Sequence, residues 1–178
     1  MRSSHGRFYI ARRPETTPDG KFYDENVTDT ALFWPNETYR WAPTSGLYAA
    51  RYWWLVESVT REGFELYRSA PQAFLIPAQV QVLGLRTRRY TFLRNVDFAV
   101  SYRSNTRAVV AHAAIRTLSG RRLWSSSEAD ANFLGSTGTI NFQWYARKNV
   151  RAGTRVRFTV TLRSQGTARS LSRVLRAP

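Results

Sequence analysis

Few residues in this 178-residue chain are of types that do proton-transfer or metal chemistry: two histidines, twelve carboxylates and no cysteine. His5 lies in a polar terminus. His112 lies in the apolar run AVVAHAAIRTL, where a packed core histidine is the expected role. Without cysteine there is no thiolate nucleophile, no disulfide framework and no cysteine-based zinc or iron–sulfur site. The chain has no H-E-x-x-H, no G-x-S-x-G and no glycine loop leading to Lys-Ser or Lys-Thr. Glu57 with Glu62 or Glu65 would meet across a hairpin turning at Arg61-Glu62-Gly63, although surface charge is the ordinary account of such a pair. The DENVTD stretch, Asp24 to Asp29, gathers oxygen donors without the spacing of a calcium loop and reads as a solvated turn. No constellation meets the outline of a catalytic site, so the expectation is a non-enzymatic protein with no cofactor, no metal and no small-molecule substrate.

The chemistry the sequence does offer is cationic. The net charge is +15, and it is distributed unevenly. Residues 1–70 hold nine basic and nine acidic side chains, whereas residues 71–178 hold eighteen basic ones against Asp97, Glu128 and Asp130. Such asymmetry predicts a polyanionic or acidic partner met by one side of the molecule. All but Lys21 and Lys148 of the 27 cations are arginine, the residue suited to phosphate and carboxylate forks; a GC-rich genome would give the same bias. The groups are Arg86, Arg88 and Arg89; Arg121 and Arg122; Arg147, Lys148 and Arg151; Arg155, Arg157 and Arg163; and Arg169, Arg173 and Arg176. They form no continuous run, which predicts a folded cationic surface meeting nucleic-acid phosphates or an acidic protein. Arginines on an open sheet face also oppose aggregation.

Strands must position these cations. GTRVRFTVTLR, Gly153 to Arg163, alternates apolar Val156, Phe158, Val160 and Leu162 with Arg155, Arg157, Thr159, Thr161 and Arg163. That is a half-buried strand with arginines on its open face, neighbouring alternate residues lying about 6–7 Å apart. Val96, Phe98, Val100 and Tyr102 alternate likewise, as do Ile140, Phe142 and Trp144. AVVAHAAIRTL reads as strand, SEADANFLG as one helical turn capped by Ser127, and RSLSRVLRAP has Leu171, Val174 and Leu175 at helical spacing. About eight strands at intervals of roughly ten residues predict a mostly β chain: a single antiparallel β-sandwich or jelly-roll-like domain over 47–166. A basic tail follows over 167–178. Residues 1–46, rich in proline and aromatics, predict an extended arm. Its residues Phe8, Tyr9, Phe22, Tyr23, Phe33 and Trp34 must find apolar surface, either on a neighbouring subunit or in short strands of this chain's own sheets.

RAGTRVRFTVTLRS resembles the last strand of the β-sandwich of viral coat proteins, and RRYTFLRNVDFAVSYRS is similar to an early strand of that fold. The resemblance covers about thirty residues. It implies a virion structural role: a coat, minor capsid, decoration or neck-and-tail subunit of a virus or phage, assembled inside the host cell with copies of itself or other virion proteins. The arm here is charge-balanced, unlike the arginine arms of small-virus coats, and no residue-level role is carried over. The absence of an apolar signal segment predicts that no secretory signal is used, and no apolar run suggests a membrane partner. Two other readings stand beside this one. One is an RNA-associated protein such as an accessory ribosomal subunit; the other is an enzyme or carbohydrate-binding sandwich using Trp34, Trp41, Trp53 and Trp54.

Overall fold

The computed structural model describes residues 5–23, 47–60, 65–131 and 137–178. Their regular structure is all β, with eleven strands and no helix among the described residues, and every strand pairing is antiparallel. The strands are β1 (His5–Ala11), β2 (Ala50–Val59), β3 (Glu65–Arg68), β4 (Gln72–Ile76), β5 (Val80–Tyr90), β6 (Asn95–Ser104), β7 (Ala108–Thr117), β8 (Arg122–Ala131), β9 (Thr137–Tyr145), β10 (Arg155–Ser164) and β11 (Thr167–Arg176). The chain divides into two compact units, Met1–Pro77 and Ala78–Pro178.

In the first unit β2 is central. β1 pairs along one edge, while β3 and β4 share the other. The described part of the proline-rich segment therefore enters a sheet of its own chain. Phe8 stacks on Trp54 with ring centroids 5.6 Å apart, and Phe22 is buried with Ala11 and Leu55, against which Tyr9 and Trp53 pack. Tyr23 is exposed. Phe33, Trp34 and Trp41 lie outside the described residues.

The second unit is a seven-stranded sandwich. One sheet runs β11-β10-β7-β8 and the other β5-β6-β9. Alternation explains the layers. β10 buries Val156, Phe158, Val160 and Leu162, and β7 buries Val109, Ala111, Ala113 and Ile115. Facing them, β6 buries Val96, Phe98, Val100 and Tyr102, and β9 buries Ile140, Phe142 and Trp144. The sheets meet at Phe98 and Phe158, whose rings lie parallel with centroids 4.0 Å apart. Each fully buried Val, Leu or Phe contributes about 1.5–3 kcal/mol.

Three local readings of the sequence are corrected. The expected helical turn at Ser127 is strand, because β8 pairs with β7 along its length. The expected basic tail is strand β11, joined to β10 by the two-residue turn Gln165-Gly166, both at positive φ (44° and 81°). Glu57 faces Arg68 across the β2–β3 ladder, not another carboxylate.

Candidate functional site

The open face of β11-β10-β7-β8 is assembled by register. Arg122 of β8 stands opposite Arg116 of β7, Arg116 opposite Arg157 of β10, and Arg155 opposite Arg176 of β11. Five arginines thus cross four strands, at about 4.8 Å between strands and 6–7 Å between alternate residues. All five are exposed. Among the described residues none has an acidic partner within 4.0 Å; the ion pairs Arg7–Glu57, Lys21–Asp19 and Arg68–Glu57 all belong to the first unit. Arg116 is steadied by donating to the Gly120 carbonyl at 2.8 Å.

Beyond this row the same face is low and mixes hydroxyls with the exposed Val110 and Val174. Thr159 pairs with Ser172, and Thr161 with Ser170, each hydroxyl couple 2.8 Å apart. His112 meets Ser127 at 2.6 Å. The expectation of a core histidine is overturned: inward positions of β7 go to its small apolar residues, so His112 stands exposed on the open face. Arg163 lies at the far end of β10.

The row continues into the loops at one end of the sandwich. Arg121 lies in the β7–β8 turn, and Arg147, Lys148 and Arg151 lie in the β9–β10 connection, all exposed. Arg94 ties the β5–β6 turn to that connection, donating to the Val150 carbonyl at 2.6 Å. The tip of the β5–β6 turn exposes Phe92 at 97% and Leu93 at 57%, and Leu118 is exposed in the β7–β8 turn. An uncovered apolar tip among cations therefore marks this end. Of the three acids in the second unit, Glu128 and Asp130 lie toward the opposite end of β8. Asp130 accepts from Tyr102 at 2.7 Å.

Register separates the remaining cations predicted from the sequence. Arg86 and Arg88 stand on the outer face of the other sheet. Arg89 has inward parity but is exposed near the strand end. Arg169 and Arg173 have inward parity on edge strand β11, and Arg173 carries its head out to the Leu85 carbonyl at 3.5 Å. The sequence reading missed Arg116, the residue that joins Arg122 to Arg157. Its signal was present in the alternation Val109, Ala111, Ala113, Ile115, which turns residue 116 outward.

The first unit holds a different electrostatic centre. Buried Glu57 accepts from Arg68 at 2.6 Å and from the Tyr9 hydroxyl at 2.7 Å, with Arg7 at 4.0 Å. Burial pushes its carboxyl upward, but the hydrogen bonds from Arg68 and Tyr9 and the nearby positive charges outweigh that and hold it below its ordinary value. Burial, and after it the contact with Glu57, raise the Tyr9 hydroxyl. Both Glu57 carboxylate oxygens are taken by partners within the cluster, as expected of an internal ion pair. Among the described residues no group of three or more His, Asp or Glu side chains is placed to hold a metal, and no helix is long and apolar enough to cross a membrane.

Comparison with protein-family models finds no match, and comparison with curated proteins finds none.

Proposed function

We propose that this protein is a non-enzymatic structural subunit of a virus or phage particle, and that the basic end of its second unit meets a polyanion. The observation that carries the reading is the arginine row Arg122–Arg116–Arg157 with Arg155–Arg176. Like charges directly opposite on neighbouring strands destabilise a sheet, so a fold that keeps three such pairings exposed is arranged for an anion that neutralises them. Phe92 and Leu93 support an assembly role in addition, since a solvent-exposed aromatic tip ringed by cations suits a protein interface.

The phosphate backbone of packaged nucleic acid fits the row better than base stacking does. Phe98, Phe142, Trp144 and Phe158 face the core, and the exposed aromatics Phe92 and Tyr145 stand off the face that carries the row, in the β5–β6 turn and on the other sheet. Binding of a single-stranded RNA oligomer across a salt series tests the contact. With five phosphates neutralised, log K falls against log[salt] with a slope of about −3.5. A flat salt response transfers the row to an acidic protein neighbour. Tight RNA binding by a protein that never assembles favours the RNA-associated reading.

A further inference from the structure

The outer face of β5-β6-β9 carries a second set of polar groups, separate from the arginine row. It forms a groove of about 650 Å³ that extends to the inner side of β8. Register sets Arg88 of β5 beside Asp97 of β6 and Gln143 of β9, and one alternate step along, Arg86 beside Ala99 and Asn141. Small Ala99 leaves the floor low between flanking long side chains.

The groups are held in fixed attitudes. Gln143 donates to Asp97 at 3.0 Å and accepts from the Tyr145 hydroxyl at 3.0 Å, while Asn95 donates to Asp97 at 3.3 Å. Arg88 does not close an ion pair with the facing Asp97; its guanidinium lies over the Tyr90 ring, 4.9 Å from the centroid. Half-buried Trp124 and exposed Glu128 complete the far side.

We propose that this groove binds an acidic oligosaccharide, one with carboxylate-bearing sugars separated by neutral ones. Arginine, amide and carboxylate side chains on a rigid sheet are the groups that take the paired hydroxyls of a sugar, and Trp124 offers an apolar face for its C–H edge. Arg86 and Arg88 are free forks for a sugar carboxylate. Asp97 and Glu128 decide against a uniform polyanion, because a phosphodiester chain along the groove would meet both carboxylates. A ligand with sparse anions and many hydroxyls meets neither difficulty. The proposal is independent of the assembly role and of the arginine row.

The test is titration calorimetry of the full chain with a hexasaccharide of alternating glucuronate and N-acetylglucosamine, with the change in tryptophan fluorescence that is lost in Trp124→Phe as a second readout. Binding is expected, and the neutral N-acetylglucosamine hexamer should bind at least tenfold more weakly. Arg86→Ala with Arg88→Ala should weaken the acidic probe at least tenfold and Asn141→Ala severalfold, each with unchanged thermal unfolding. Arg157→Ala, on the other sheet, should leave it unaltered. No binding of the acidic probe at millimolar concentration, equal binding of the neutral one, or a loss with Arg157→Ala equal to that with the groove variants would overturn the assignment. So would an RNA oligomer that competes for the groove more tightly than the sugar does.

Discussion

Arg116 and Arg157 stand directly opposite each other in the β7–β10 ladder, both exposed and without an acid between them. Opposed like charges cost a sheet roughly 0.2–1 kcal/mol. Replacing Arg157 by Thr, which matches the neighbouring outward residues of β10, should therefore stabilise the second unit by about that amount while weakening RNA binding. Chemical denaturation of both proteins measures the first effect, and an unchanged or lower midpoint contradicts the view that the pair is kept for binding.

Gly138 of β9 faces Tyr102 of β6, and a Cβ at position 138 would lie 2.5 Å from the ring. Tyr102 is fully buried and held by Asp130, so the ring has little freedom to withdraw. Gly138→Ala should destabilise the sandwich by about 1–3 kcal/mol through overpacking. A thermal midpoint equal to that of the parent would show that the ring moves aside.

Two pH limits follow from the two buried centres. The Glu57 carboxyl is lower folded than its ordinary value of 4.5, so its contribution is present above that value and is lost as pH falls through the folded one. The Tyr102 hydroxyl is pushed far above 10.0, first by burial and then by Asp130, so its contribution is full below pH 10.0 and is lost as pH rises beyond it. Glu57→Gln should flatten the acid limb. It should also cost the first unit about 3–5 kcal/mol, by leaving a buried cation without its counter-charge. Denaturation across pH of the parent, Glu57→Gln and Tyr102→Phe checks both statements, the first variant flattening the acid limb and the second the alkaline one.

Phe92→Ser should leave stability within about 0.5 kcal/mol, since the side chain is almost wholly exposed, yet reduce self-association. Sedimentation velocity reads the second effect. Association equal to that of the parent would remove the tip from the interface.

The sandwich core was legible because β6, β9 and β10 alternate cleanly, and the outward set on β10 followed from the same pattern. β11 was not, because an edge strand places Arg169 and Arg173 at inward positions, where both stay exposed and Arg173 reaches the Leu85 carbonyl. Its period of two is thereby hidden behind a helical spacing of leucines. His112 was misread for a related reason: the apolar character of its run comes from residues on both faces, and only pairing reveals which face is covered. The groove was invisible in the sequence since its groups meet across strands, as with Asp97 and Gln143, 46 residues apart. The same holds for Arg122–Arg116–Arg157, whose continuity depends on register and on the irregularity between Ile115 and Arg116.

The most direct test of the structural-subunit proposal is sedimentation and electron microscopy of the purified full chain with single-stranded RNA at low salt. The prediction is many-copy shells, tubes or rings that contain the RNA, dissolve as salt rises, and fail to form when Arg116, Arg122 and Arg157 are replaced together by Ala. A protein that stays monomeric at every salt concentration, with or without RNA, contradicts the account.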